Sequence, residues 1–376
     1  MTIDTVPAGL RGVTVSDTAV GDVRGDEGYY HYRGRSAVEL ARSVSFAEAA
    51  ALVLDGALPD DGGAGLRSEL AAHRELGPAV AAILPTAARA GRGFEALAGL
   101  RAALCVLAVE EGLPPTWGAT PTRRRDDALR VCAVTPTILA ALWRLRQGLE
   151  PVAPRDDLHG AAGWLWSLHG VEPDPAAAAA VESYLVSTID HGFNASTFTA
   201  RVATSAGTDV ASAVVAAIGT FVGPLHGGAP DRALEALDEI GTPDRIEPYV
   251  RAKLAAGDRV MGFGHAVYRT ADPRAMMLRE VAERSGGPLV ELAVATQERT
   301  EALLAEHRPG RGLRVNVEFW AGVVMALAGV PREMFTPTFA VSRVVGWCAH
   351  VLEQARESTI IRPSARYVGP TPESAR

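Results

Sequence analysis

The sequence contains very little lysine and more acidic than basic residues. Lysine occurs once, at Lys253, so arginine supplies 36 of the 37 basic residues, a skew that we attribute to codon bias. The formal net charge is −7, so there is no global positive field that would attract nucleic acid or an anionic membrane. We therefore predict no nucleic-acid partner and no membrane partner, and any anionic ligand must be held by local arginines.

Cysteine is also scarce, and long apolar runs are absent. Cys105, Cys132 and Cys348 are widely spaced and form none of the paired motifs of metal or redox sites, which is typical of a reducing compartment. The N-terminus lacks a basic stretch followed by an apolar one, so no secretory signal is predicted. Glycine and proline interrupt residues 210–230, and a bilayer-spanning helix needs about 20 apolar residues. We expect a cytoplasmic protein.

Length and composition predict a globular protein of about two domains. The 376 residues are 48% hydrophobic and 22% charged, the usual balance of a soluble protein. Segments rich in alanine and leucine, separated by glycine and proline, predict an almost wholly α-helical fold. Strand signals are confined to residues 12–34, where turn residues at Gly21 and Gly28 predict a short hairpin. Helices are predicted at about residues 37–42, 46–54, 65–75, 93–109, 124–132, 136–149, 158–169, 174–189, 209–221, 230–240, 246–256, 273–285, 288–306, 317–328 and 340–357.

Three histidines occur in or beside glycine-rich segments, where the backbone can approach a ligand closely. They are His191 in DHGFNAST, His226 in GPLHGGAP and His265 in GFGHAVYRTADPRA. Each has a structural alternative: His191 as a helix C-cap, His226 as a turn residue and His265 as a buried core histidine. Three histidines in such similar settings favour a shared function.

The motifs of several common catalytic chemistries are absent from the sequence. The sequence has no HExxH, no CxxC and no closely spaced histidine pair, so we predict no metal site. No serine lies in a GxSxG elbow, which argues against nucleophilic hydrolysis. The GxG of Gly262 and Gly264 lacks both the third glycine and the preceding strand of a dinucleotide site. Acid–base chemistry by imidazoles and a carboxylate remains.

The candidate carboxylate is Glu318, a charged residue inside the apolar run VEFW. Burial would raise its pKa and suit it as a general base, although a paired glutamate at a helix start is equally compatible with the local sequence. Arginines that could clamp a small polyacid are Arg269, Arg274, Arg343 and Arg362, with surface ion pairs as their alternative.

Together these motifs resemble the citrate synthase family, including its bacterial citrate and 2-methylcitrate synthases. The matching stretches, in family order, are YHYRG, DHGFNASTFTARV, GPLHGGAP, MGFGHAVYRTADPRA, NVEFW, GWCAHVLEQ and IIRPSARYVG. The variants NVEFW and GWCAH look most like the group named citrate synthase 2. The resemblance implies an all-α, citrate-synthase-like two-domain fold with a short N-terminal β-hairpin. It also implies a homodimer whose large domain (residues 1–226 and 326–376) and small domain (residues 227–325) enclose a cleft that opens and closes.

The resemblance also implies a role for each motif residue. His226 would stabilise the enol of acetyl-CoA, His265 would polarise the oxaloacetate carbonyl, and Glu318 would abstract the proton. His191, Arg274 and Arg343 match oxaloacetate-binding positions, Arg362 matches an arginine donated across the dimer, and Gly262, Gly264, Arg269 and Asn316 fall where coenzyme A is held. The implied reaction joins acetyl-CoA, as co-substrate, to oxaloacetate and then hydrolyses the thioester to give citrate and CoA. It requires no tightly bound cofactor and no metal.

Two positions depart from the family pattern. Most members carry aspartate where this chain has Glu318, whose side chain is longer by about 1.5 Å. Ala266 stands where many bacterial members have arginine, which bears on the local CoA contacts. Two alternatives stay open: a 2-methylcitrate synthase that uses propionyl-CoA, which no motif excludes, and a non-catalytic paralogue that binds acyl-CoA, with which Glu318 is compatible.

Overall fold

The protein is almost entirely helical, as the sequence predicts. The computed structural model describes residues 6–10, 12–223, 226, 230–265, 267–268 and 270–370, with only the backbone of residues 230 and 231. Within these ranges the chain forms sixteen α-helices and three short strands. The strands are β1 (Gly21–Arg24), β2 (Tyr29–Tyr32) and β3 (Arg35–Ser36). The helices are α1 (Ala37–Ser43), α2 (Phe46–Asp55), α3 (Ala64–His73), α4 (Pro78–Arg89), α5 (Ala96–Glu110), α6 (Pro121–Arg146), α7 (Gly160–His169), α8 (Pro175–Thr188), α9 (Ala195–Ser205), α10 (Val210–Phe221), α11 (Pro230–Ile240), α12 (Ile246–Ala255), α13 (Pro273–Ser285), α14 (Pro288–His307), α15 (Val317–Leu327) and α16 (Phe335–Gln354).

The predicted N-terminal hairpin is extended by a third strand. The sheet is antiparallel in the order β1-β2-β3, with Gly21 opposite Tyr32 in the first pair. The second connection consists of Arg33 and Gly34, both with positive φ (48° and 82°), the combination that a two-residue type I′ turn requires. The hydroxyl of the fully buried Tyr32 donates to the carbonyl of Val186 at 3.0 Å, so the sheet lies against the end of α8.

The prediction of two separate helices at 124–132 and 136–149 is wrong, because α6 is one continuous helix in this region. Thr120 caps its start, Pro121 occupies the first turn, and the helix continues through Pro136. An internal proline costs about 3 kcal/mol because one backbone hydrogen bond is lost, but here packing on α4, α5 and α16 outweighs that cost. Among the described helices, α6 alone is long and apolar enough to cross a membrane. Two thirds of its apolar window is buried, as in a core helix.

Two further helices were missing from the sequence prediction. The sequence of α4 contains Pro78 and Pro85, which disguise its helical pattern. The sequence of α9 is rich in serine and threonine, which have low helix propensity, yet Asn194 caps it by accepting from the N–H of Thr197 at 3.1 Å. Helix α16 begins at Phe335, five residues before its predicted start.

The main core surrounds α16. This helix is buried on nearly all sides, including its polar residues Ser342, Arg343 and His350, and packs against α2, α6, α8, α9 and α10. A second, smaller apolar cluster lies within residues 240–303 and is formed by α12, α14 and their neighbours. Its buried members are Ile240, Ile246, Val250, Val260 and Leu303.

Candidate active site

Nine of the eleven residues singled out from the sequence line one cleft of about 400 Å³. They are His191, His226, Gly262, Gly264, His265, Arg274, Asn316, Glu318 and Arg343. The end of α8 and helix α16 form one side, and the loop before α13 together with the start of α15 forms the other. Residues separated by up to 152 positions in the sequence therefore face the same space.

His191 lies three residues beyond the end of α8 and is held by a tyrosine. Its Nε2 lies 2.8 Å from the hydroxyl of Tyr268, and its ring centroid lies 5.8 Å from that of His265. Burial, reinforced by the charges of Arg274 and Arg343, lowers the pKa of His191 well below its ordinary value. The imidazole is therefore neutral at pH 7 and acts in hydrogen bonding.

His265 has a defined tautomer. Its Nδ1 accepts the backbone N–H groups of Val267 and Tyr268, each at 3.0 Å, so the ring hydrogen lies on Nε2. Burial and the charge of Arg274 lower the pKa of His265 to about 4, which keeps the ring neutral. The Nε2–H group therefore points a hydrogen-bond donor into the cleft.

Arg274 stands beside His265 and is anchored by a carboxylate. Its guanidinium nitrogens lie 3.1 and 2.9 Å from the two oxygens of Asp272, and both side chains are almost fully buried. Burial disfavours the charged forms of both side chains. The Arg274 guanidinium nevertheless keeps the pKa of Asp272 below its usual value. Asp272 also accepts from the N–H of Val317 at 3.0 Å, which ties the loop before α13 to the start of α15.

Arg343 is a buried cation of the cleft without the carboxylate partner that Arg274 has. It is 2% exposed, its Nε donates to the carbonyl of Thr188 at 2.9 Å, and its guanidinium lies 4.7 Å from the ring centroid of Phe339. Among the described residues, no carboxylate lies within ion-pair distance of Arg343. Burial lowers its pKa, so a carboxylate ligand would relieve the cost of this buried charge.

His226 is positioned by the start of α9. Its Nε2 lies 2.8 Å from the hydroxyl of Ser196 and 3.3 Å from the backbone nitrogen of the same residue. The indole N–H of Trp347 donates to that hydroxyl at 3.0 Å and fixes its position. Burial, with a smaller contribution from Arg343, lowers the pKa of His226 to about 4. When Nε2 accepts from Ser196, the hydrogen of the neutral ring lies on Nδ1.

Glu318 occupies the first turn of α15. Asn316 caps this helix by accepting from the N–H of Glu318 at 3.2 Å. A helix N-terminus and the charge of Arg274 favour the carboxylate form, but burial prevails and raises the pKa of Glu318 to about 7. A carboxyl group with this pKa can accept and release a proton near neutral pH.

The loop Gly262–Gly264 is bound to Asn316 and requires glycine. The N–H of Asn316 donates to the carbonyl of Gly262 at 2.9 Å, and its side-chain amide donates to the carbonyl of Gly264 at 3.0 Å. Both glycines have positive φ, +83° and +91°, and a Cβ at Gly262 would lie 2.9 Å from the ring of Phe319. Only glycine allows this close approach.

One described residue of the predicted site, Arg362, does not line the cleft. Arg362 is exposed in the extended segment after α16, where the neighbouring Ile361 N–H donates to the hydroxyl of Ser205 at 3.0 Å. Arg362 does not line the cleft of its own chain, and its role across a dimer stays a prediction. Arg269 and the departure at Ala266 lie outside the described residues, as does residue 227, the predicted domain boundary.

Residues behind the cleft lining support the site, and the sequence analysis did not single them out. Tyr268, Asp272, Ser196 and Trp347 hold the three histidines and Arg274 in place. Asp272 had a local signal, because Asp followed by Pro marks a helix start, but that signal does not reveal a buried ion pair. In the described ranges, no group of three or more His, Cys, Asp or Glu residues is placed to hold a metal ion.

Comparisons with known proteins agree on one family. The family model described as "Citrate synthase, C-terminal domain" matches residues 9–364. The chain is 37% identical to a citrate synthase of Synechocystis, covering 96% of this chain and 90% of that protein. It is also 37% identical to a 2-methylcitrate synthase of Mycobacterium tuberculosis, with 97% and 91% covered. The structure also resembles that of citrate synthase from Thermoplasma acidophilum in a ternary complex with carboxymethyl coenzyme A and oxaloacetate. The TM-score is 0.87 at 28% identity, covering 98% of this chain and 97% of that one.

Proposed function

The chain belongs to the citrate synthase family, and we propose that it condenses acetyl-CoA with oxaloacetate, with Glu318, His226 and His265 at the reacting atoms. One observation carries the assignment of the base. Glu318 is a carboxyl group with a pKa of about 7 that faces a cleft containing three neutral imidazoles and two buried arginines. The enzyme is an acyltransferase, because the acyl group of the thioester is transferred to carbon.

The first step is the removal of a proton from the thioester methyl group. The ionised Glu318 accepts this proton, and negative charge then develops on the thioester oxygen. His226 stabilises that oxygen by donating its Nδ1–H, while its Nε2 accepts from the backbone N–H of Ser196. A preorganised donor of this kind typically contributes about 10² to 10³ in rate. Because the pKa of His226 is about 4, the ring is neutral and donates a hydrogen bond without carrying a full charge.

The second step is attack of the enol carbon on the ketone of oxaloacetate. The ketone oxygen accepts a hydrogen bond from the Nε2–H of His265 as it becomes an alkoxide, and the new carbon–carbon bond gives a citryl thioester. A proton from water neutralises the alkoxide, and Glu318 releases the methyl proton to solvent, which regenerates the base. The buried arginines Arg274 and Arg343 bind the two carboxylates, and His191, held by Tyr268, adds a hydrogen bond. Water then hydrolyses the thioester, and citrate and CoA leave. The structure from Thermoplasma acidophilum, whose ligands are oxaloacetate and a CoA derivative, supports this pairing of substrates.

The cleft fits the two-domain organisation that the family implies. His191, His226 and Arg343 belong to the proposed large domain, residues 1–226 and 326–376. Glu318 and His265 belong to the proposed small domain, residues 227–325, which contains the second apolar cluster. A rotation of one part against the other would close the cleft and exclude water from the enol. We further propose a cytoplasmic homodimer in which Arg362 reaches the partner's site, while Gly262, Gly264, Arg269 and Asn316 hold coenzyme A.

The test is steady-state kinetics with acetyl-CoA and propionyl-CoA at saturating oxaloacetate, with release of the CoA thiol as the readout. The proposed function predicts a higher kcat/KM with acetyl-CoA, and the difference of one methylene limits the discrimination to about 1 to 3 kcal/mol. A preference for propionyl-CoA would make the chain a 2-methylcitrate synthase. Binding of acyl-CoA without turnover of either thioester would make it a non-catalytic paralogue. His265→Ala serves as the inactive control.

A further inference from the structure

An apolar cavity lies on the opposite side of helix α16 from the cleft. Its volume is about 140 Å³, and helices α2, α3, α6, α7, α8 and α16 enclose it. Val341 and Val345 of α16 line this cavity, whereas Phe339 and Arg343 of the same helix line the cleft. Residues two positions apart on a helix point in nearly opposite directions, so α16 separates the two spaces. Among the described residues, the two linings share no member.

The cavity combines an apolar wall with a basic mouth. The wall includes Leu70, Ala133, Pro136, Trp164, Val341 and Val345. The mouth carries Arg67, Arg74 and Arg155. Arg74 pairs with Asp156, and Arg155 pairs with Asp157 and Glu172, so acidic neighbours already neutralise these two charges.

Arg67 forms no such ion pair within the described part of the chain. Its one side-chain hydrogen bond goes to the carbonyl of Gly62 at 2.7 Å, and no carboxylate of the described residues lies within ion-pair distance. The nearby Glu182 is occupied, because its oxygens accept the N–H groups of Phe46 and Ala161 at 2.6 and 2.7 Å. Arg67 therefore keeps most of its donors free at the edge of an apolar space.

We propose that this cavity binds a small monocarboxylate with a compact apolar body, whose carboxylate pairs with Arg67. The volume of about 140 Å³ is close to the ~150 Å³ of an engineered apolar cavity that binds benzene. A benzene-sized ring therefore fits the wall, and a carboxylate on that ring reaches a guanidinium that can bind it bidentately. A second carboxylate on the ligand would have to enter the apolar wall unpaired, which excludes dicarboxylates such as oxaloacetate.

The test uses benzoate as the probe and isothermal titration calorimetry on the full chain. Oxaloacetate is present at saturation, so that the arginines of the cleft are occupied. We expect benzoate to bind with a Kd below about 10 mM and benzyl alcohol, which has the same ring without the charge, to bind at least tenfold more weakly. Arg67→Gln should weaken benzoate binding about tenfold and leave condensation unchanged.

Two further variants separate this cavity from the cleft. Ala133→Leu fills the cavity from α6 and should abolish benzoate binding while the protein stays folded. Arg343→Gln should impair oxaloacetate binding and leave the Kd of benzoate unchanged. The proposal is overturned if benzoate does not bind at saturating oxaloacetate, or if Arg67→Gln binds it as tightly as the parent protein does. The Kd of benzoate for Arg67→Gln tests the proposal even if Ala133→Leu does not fold.

Discussion

The guanidinium of Arg274 lies 3.3 Å from Nε2 of His265, so two hydrogen-bond donors face the same small space. Backbone N–H groups occupy Nδ1 of His265, which leaves the ring hydrogen on Nε2. Two adjacent donors are unfavourable until an acceptor lies between them. The pair is therefore complementary to a ligand oxygen, such as the ketone or carboxylate oxygen of an α-keto acid.

Removing either proposed catalytic imidazole should abolish condensation. His265→Ala and His226→Ala each delete a donor that matters most as charge develops on oxygen, so kcat should fall about 10² to 10³-fold. Neither change removes a large part of the core, and gel filtration and circular dichroism should match the wild type. Near-normal kcat in either variant would show that its histidine has been assigned the wrong role.

Tyr268→Phe should weaken oxaloacetate binding. The variant loses the 2.8 Å hydrogen bond to His191 but keeps the aromatic ring that packs beside His265. One such hydrogen bond is worth about 1 kcal/mol, so KM for oxaloacetate should rise about fivefold, with a smaller change in kcat. Tyr249→Phe, on α12 and away from the cleft, is the matched control and should behave like the wild type. Equal KM values for the two variants would contradict the role of Tyr268.

If Arg362 acts in the partner's site, two inactive variants should complement each other. A mixed dimer of Arg362→Ala and His265→Ala subunits has one site with both lesions and one intact site, so activity should appear on mixing. Mixing His226→Ala with His265→Ala is the control, because both residues line the cleft of one chain and every mixed site then carries a lesion. Stable Arg362/His265 mixed dimers without activity would rule out the shared site.

The sequence predicted the helical class, most helix positions and nine of the residues that line the cleft. It failed where tertiary packing overrides local signals: α6 runs through Pro136, and α9 forms from a serine- and threonine-rich segment. The ion pair of Asp272 and Arg274 joins neighbours in sequence, but its burial depends on the distant start of α15. The contact of Tyr268 with His191 joins residues 77 positions apart, and no local pattern encodes it.

The raised pKa of Glu318 should be visible in the stability of the protein. The pKa is about 7 in the folded protein and near 4.5 in the unfolded chain. Between these values the unfolded chain has released the proton that the folded protein retains, so stability falls as pH rises through this window. Glu318→Gln has no titratable group at this position, so only the wild type loses this stability as pH rises. The free energy of unfolding of the variant minus that of the wild type should therefore be more positive at pH 8 than at pH 5, by about 2 kcal/mol. Glu333→Gln, at an exposed glutamate, should show no such change; an equal difference at both pH values for Glu318→Gln would contradict the raised pKa.

Exchange of the acetyl-CoA methyl protons with solvent tests the central claim, that Glu318 is the base, most directly. Glu318→Gln keeps the size and hydrogen bonding of the side chain but cannot accept a proton. Exchange, followed by NMR in deuterated water, and condensation should therefore both collapse while oxaloacetate binding persists. Glu318→Asp keeps the carboxylate on a shorter side chain within a backbone adapted to glutamate, and it should be active but slower than wild type, since a displacement of about 1 Å can cost a hundredfold in rate. Ordinary exchange and turnover in Glu318→Gln would contradict the account.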